Sequence, residues 1–106
     1  MTLHFACRRD DLEVGGALTV KIEGIEPIAL FRTEDGEIHA TSDTCTHERW
    51  SLGEDSDFDG VEEVTCPLHM ARFNVRTGEA LCFPAAFPLT TYRTEVGVDG
   101  GVYLEI

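Results

Sequence analysis

Positive charge is scarce in this 106-residue sequence: eight Lys and Arg stand against 20 Asp and Glu, a formal net charge of −12. Nucleic-acid phosphates are held by Lys and Arg, so this balance excludes a nucleic-acid partner. It also argues against an anionic membrane surface. A field of this sign favours encounter with basic protein patches, although solubility alone accounts for many of the carboxylates. No run approaches the ~18–20 apolar residues needed to cross a bilayer. Met1-Thr2-Leu3-His4-Phe5 has no basic start and no apolar stretch behind it, so no signal peptide is expected, and the expected location is the cytoplasm. No segment carries an apolar stripe at 3.6-residue spacing over three turns. A glycine-rich nucleotide loop is missing too.

What is present is a succession of short strands. The length suits one domain, residues 1–106. Leu3 to Arg8 reads as a strand, and Asp10-Asp11-Leu12 as one helical turn before Gly15-Gly16. Ala17 to Glu23 alternates Leu18, Val20 and Ile22 against Thr19, Lys21 and Glu23, the period of a half-buried strand. Pro27 to Arg32 and Glu37 to Thr41 flank the turn Glu34-Asp35-Gly36. Further strands are expected at Val61 to Thr65, Arg72 to Val75, Glu79 to Cys82, Thr91 to Val98 and Val102 to Ile106. About nine or ten short strands with regular turns predict an all-β antiparallel sandwich or barrel.

Two segments carry the chemistry: Cys45-Thr46-His47 and Cys66-Pro67-Leu68-His69, separated by the eighteen residues Glu48 to Thr65. Each supplies one thiolate and one imidazole from a short stretch, which points to metal rather than disulfides. C-x-H followed by C-x-x-H is the ligand order of a [2Fe–2S] centre in which two His replace two Cys on one iron. Cys45 and Cys66 would hold one iron, and His47 and His69 the other. With two thiolates the oxidised cluster is neutral, whereas four leave it doubly negative. Reduction is therefore easier than in an all-Cys cluster, and potentials span about −150 to +300 mV. Zinc also accepts two Cys and two His, usually from C-x-x-C and H-x-H type spacings, and so is the competing metal; a zinc-stapled interaction module would be colourless. Apolar content is slightly low at 42%, and a bound cluster would supply part of the missing stability.

The sequence resembles the Rieske ferredoxin family, particularly the small ferredoxins of bacterial aromatic-ring-hydroxylating dioxygenase systems of the biphenyl and phenylpropionate types. The resemblance is densest in Cys45-Thr46-His47, Trp50-Ser51-Leu52, Cys66-Pro67-Leu68-His69, Phe73, Arg76-Thr77-Gly78-Glu79 and the Pro84 segment. It implies three antiparallel sheets, with one cluster between loops 43–53 and 66–73 at one tip, and a proline-containing covering loop at 83–88. It further implies that the chain passes one electron at a time from an FAD-containing, NADH-dependent reductase to a terminal oxygenase. The chain itself would be a monomeric carrier, not an enzyme. The alternative within redox chemistry is a small Rieske-like subunit of another enzyme, such as a nitrite reductase; a detached oxygenase domain is disfavoured by the ending at Ile106 after a closing hairpin.

Respiratory and photosynthetic members carry a disulfide between the two metal loops, and a Ser and a Tyr hydroxyl against cluster and cysteine sulfurs. The matching positions here are Trp50 and Leu68, which form no bridge, and Ala71 and Phe73, which have no donor. The potential is therefore expected near the low end of the Rieske range, almost independent of pH around neutrality. Trp50 and Pro84 are expected to shield the cluster. Glu48 stands where the closer family commonly has Gly. Cys7 and Cys82 are expected as inert buried thiols, His4 and His39 as structural or exposed, and Arg72 in an ion pair within the chain or with a partner.

Overall fold

Among the described residues, turn chemistry cuts the chain into ten strands and one short 3-10 turn. The computed structural model describes residues 3–22, 24–45, 51–54, 56–67, 70–82 and 87–106. The strands are β1 (Leu3–Arg8), β2 (Ala17–Val20), β3 (Ile28–Arg32), β4 (Ile38–Ser42), β5 (Asp57–Phe58), β6 (Glu63–Cys66), β7 (Ala71–Asn74), β8 (Ala80–Cys82), β9 (Thr91–Val96) and β10 (Gly101–Glu105), with the 3-10 turn at Arg9–Asp11. Every ladder is antiparallel. The all-β expectation holds. Most strand bounds shift by one or two residues; β2 stops early at Val20, β9 stops early at Val96, and the two-residue β5 has no counterpart in the sequence reading, being too short to show a period.

The strands form two sheets, in the orders β1-β10-β9-β4-β3-β2 and β5-β6-β7-β8. The resemblance implied three. Here two of those run together, because β4 and β9 share a short ladder, Ala40 with Tyr92 and Thr41 with Thr91.

The six-stranded sheet curls around its own core, in which Ile28, Leu30, Ile38, Ala40, Val102 and Leu104 meet Cys7 and Leu12. The four-stranded sheet packs a second core against the other face of β3, where Ala29 and Phe31 meet Val64, Phe73, Val75 and Leu89. β3 therefore divides the molecule. Ile28, Ala29, Leu30 and Phe31 are each fully buried, because successive side chains enter opposite cores. Phe31 meets Phe58 edge-on at 5.0 Å between ring centroids.

One glycine ties the β7–β8 turn to the chain entering β9. Gly78 has φ +80°, and a Cβ there would collide with the Leu89 carbonyl oxygen. Its own carbonyl accepts the Leu89 N–H at 2.7 Å.

Candidate metal centre

The second metal-loop segment is a hairpin tip. Cys66 is the last residue of β6 and pairs with Ala71, the first of β7, which fixes the two ends of the loop. Met70 returns the chain into β7 through a left-handed conformation, φ 61°, uncommon outside glycine, and leaves its side chain 62% exposed. The Cys82 thiol on β8 reaches the Met70 carbonyl at 3.5 Å and accepts the Arg72 Nε–H at 3.5 Å. Arg72 also pairs with Glu63 at 3.2 Å, so its ion pair lies within the chain.

The first segment crosses between the sheets, from β4 to β5, and a single bridge between Thr44 and Ser51 gives it a hairpin-like stem. Asp43, nearly fully buried, sits at its base. Its Oδ1 accepts from the Thr19 hydroxyl (2.8 Å), the Ser51 hydroxyl (3.0 Å) and the Gly53 N–H (2.8 Å). Its backbone N–H donates to the Pro27 carbonyl at 3.0 Å, and its carbonyl accepts the Leu52 N–H at 2.8 Å. Gly53 is required by this closeness, since a Cβ there would strike Thr19 Oγ1 and the Leu18 backbone. The sequence reading missed Asp43, Thr19 and Gly53. An Asp two residues before a candidate ligand was the available signal, but nothing in the spacing says that its donors come from β2.

Four of the nine sequence-assigned site residues converge in one buried cluster: Cys45, Cys66, Ala71 and Phe73, walled by Leu52, Val64, Val75 and Leu89. Cys45 is 3% exposed and Cys66 fully buried. His47, His69, Trp50, Leu68 and Pro84 lie outside the described residues, as do Glu48 and the covering segment 83–86. Phe87, at the end of that loop, is 68% exposed. Among the described residues no group of three Cys, His, Asp or Glu gathers as a metal site, and two of the four assigned ligands are not among them.

The donors fit an iron–sulfur group. The two cysteines on the metal loops, Cys45 and Cys66, are buried in the same apolar, water-excluding cluster, where thiolate charge is best neutralised by metal. Phe73 and Ala71 are both fully buried in that wall and carry no hydroxyl.

The other two cysteines behave differently from each other. Burial, and then Asp11, push the Cys7 thiol pKa up, as expected for an inert thiol. Cys82 departs from expectation: it is only half-buried, and Arg72 lowers its pKa, because β8 is an edge strand with its outer face open. His39 is structural, half-buried on β4 with Nε2 enclosed and without a hydrogen-bond partner, and burial lowers its pKa. A cleft of about 390 Å³ between β4, β9 and Arg76 is lined by none of the assigned ligands.

Comparisons with known proteins agree with this geometry. Residues 2–93 match the Rieske [2Fe-2S] domain. The chain is 43% identical over all of its length, and 96% of the relative's, to the 3-phenylpropionate/cinnamic acid dioxygenase ferredoxin subunit of Photorhabdus laumondii. It is 44% identical over 91% of its length, and 85% of the relative's, to the biphenyl dioxygenase ferredoxin subunit of a Pseudomonas species. Among solved structures, a chain in the complex of reduced oxygenase and oxidized ferredoxin of carbazole 1,9a-dioxygenase superposes with a TM-score of 0.86 at 36% identity, covering 96% of this chain and 91% of that one. A putative nitrite reductase small subunit gives 0.80 at 28% identity, covering the whole of both chains. This chain therefore belongs to the Rieske [2Fe-2S] family, and its cofactor is a Rieske-type [2Fe–2S] cluster.

Proposed function

We propose that the cluster is held by Cys45 and Cys66 on one iron and by His47 and His69 on the other, in a single domain spanning 1–106, with residues 43–53 and 66–73 as its loops and the Pro84 segment, 83–88, as its cover. The chain then works as the ferredoxin component of a ring-hydroxylating dioxygenase system. It takes single electrons from an FAD-containing, NADH-dependent reductase and delivers them to the terminal oxygenase. It is a monomer of the cytoplasm and catalyses nothing alone. One observation carries the reading: the two thiols assigned by spacing, from loops on different sheets, lie in one apolar cluster beside Phe73 and Ala71.

When bound, the cluster supplies reversible one-electron chemistry. The protein's own side chains set its surroundings. Leu52, Val64, Phe73, Val75 and Leu89 exclude water behind the thiols. Ala71 and Phe73 offer no hydroxyl to sulfur, which leaves the reduced state less stabilised and favours a low potential. The acidic surface steers encounter with basic partners.

The test is an EPR spectrum of the dithionite-reduced protein together with iron and sulfide analysis. A Rieske signal, with a lower average g-value than an all-Cys ferredoxin, is expected, and it should vanish in His47→Ala and His69→Ala. A colourless, iron-free protein after anaerobic reconstitution would overturn the reading. The second reading, a nitrite reductase small subunit, is favoured by one structural likeness. Reduction of the isolated chain by a separate flavin reductase, followed by transfer to a ring-hydroxylating oxygenase, excludes it.

A further inference from the structure

We propose that Asp43 is a positioning residue for the metal centre: its buried carboxylate clamps both arms of the first ligand loop to the barrel, and so holds Cys45 and His47 in place for the cluster. The inference rests on the cluster lying between the two loops. Asp43 Oδ1 gathers three donors from two segments. Thr19 comes from β2, an edge strand of the six-stranded sheet; Ser51 and the Gly53 N–H come from the returning arm of the loop. The outgoing arm is Asp43 itself, whose N–H is anchored on Pro27 just before β3. The Thr44–Ser51 bridge closes the stem directly above, bracketing residues 45–50.

The clamp is extended but not duplicated. Ser51 Oγ lies 3.1 Å from Thr19 Oγ1 and accepts the Glu54 N–H at 3.3 Å, and the Ser51 carbonyl accepts the Ser56 hydroxyl at 3.0 Å. A carboxylate buried this far is stable only because its donors are fixed. Removing it takes away the acceptor shared by two hydroxyls and a backbone N–H, on or beside the first ligand loop. Groups that orient metal ligands are typically worth 10–100-fold in metal affinity.

The experiment uses the full chain with its cluster, comparing wild type with Asp43→Ala, Asp43→Asn, Thr19→Val and Ser51→Ala. Thr94→Val is the control, because it removes a hydroxyl bonded to the Ile38 carbonyl at 2.8 Å, away from both loops. The readouts are the rate at which an iron chelator strips the cluster and the g-values and line widths of the reduced protein. Asp43→Ala should lose iron about 10–100-fold faster, with broadened lines. Thr19→Val and Ser51→Ala should each lose it about 3–10-fold faster, the worth of one hydrogen bond. Asp43→Asn keeps an acceptor oxygen and should stay within about threefold of wild type. Thr94→Val should leave rate and spectrum unchanged. Wild-type rates and spectra in both Thr19→Val and Ser51→Ala overturn the proposal, even if Asp43→Ala fails to fold. So does equal loosening in Thr94→Val, which would mark general destabilisation. Loss of the cluster reading itself looks different: wild type would then bind no iron and sulfide at all.

Discussion

On one face of β3, Ile28 and Leu30 meet a barrel core of long aliphatic side chains from strands of mostly five or six residues. On the other face, Ala29 and Phe31 meet a core built from alanines, two phenylalanines, two thiols and residues from turns and loops, framed by strands of two to four residues. The six-stranded side carries its own aliphatic core, buried by the sheet without any added group. The site side has short ladders and ends in two loops that point thiols inward. Its stability is completed by metal, because metal affinity for a native site is folding free energy. The same residue type shows the contrast. Cys7 in the barrel is a hydrophobe with a raised pKa. Cys45 and Cys66 are buried together in the other core, where the proposed ligation would place the cluster.

The sharpest way to break this comparison is to remove a proposed ligand. Cys66→Ser should abolish the visible absorbance and the EPR signal. It should speed amide hydrogen exchange in β6 and β7 by about 100-fold or more, while β9 and β10 change little. Equal loosening of both sides, measured by exchange mass spectrometry, would show one cooperative core rather than two. The reciprocal change acts on the barrel. Leu104→Ala removes a fully buried side chain and should cost about 2–5 kcal/mol of unfolding free energy in urea titration. The EPR spectrum should nonetheless stay that of wild type below the transition. A smaller effect is expected inside the site wall. Phe73→Tyr introduces a hydroxyl donor into the core that holds both thiols, and should raise the potential by a few tens of millivolts in a redox titration.

How legible these regions were differs for the same physical reason. The barrel strands β1, β3, β4, β9 and β10 announced themselves by turn residues and apolar content. Spacing to histidine singled out the two thiols, and they meet in one core. What stayed hidden depends on long-range pairing. Burial of β3 on both faces cannot be told from a half-buried strand until the second sheet is placed against Ala29 and Phe31. The Asp43 clamp needs Thr19, far away in sequence, to be brought alongside. The short strand β5 exists only because Asp57 and Phe58 pair with Thr65 and Val64. The openness of Cys82 follows from β8 being an edge, which no local pattern states.

The smallest expected effect sits on a seam between the two regions. Arg76, in the β7–β8 turn of the site side, reaches Asp35 at 3.1 Å and Glu37 at 3.5 Å in the β3–β4 turn of the barrel. Asp35 Oδ1 also takes the Thr33 hydroxyl and the Glu37 N–H. These contacts, the Thr33 hydroxyl first, then the Glu37 N–H and Arg76, hold its carboxyl well below the usual carboxylate range. A depressed folded pKa contributes stability in full above the unfolded value near 3.8, and that contribution drains away as pH falls below it. Asp35→Asn should therefore melt only a few degrees below wild type at pH 7, because the group is exposed and screened. That gap should hold down to about pH 5 and narrow below about pH 4, where the unfolded chain takes up a proton that the folded Asp35 carboxyl does not. Melting curves across that range check the sign. A gap that widened on acidification would place the anchoring of the β7–β8 turn elsewhere than in this carboxylate. If the seam works as described, acid should release the amides around Gly78 before those of β10, the same order that loss of the cluster imposes.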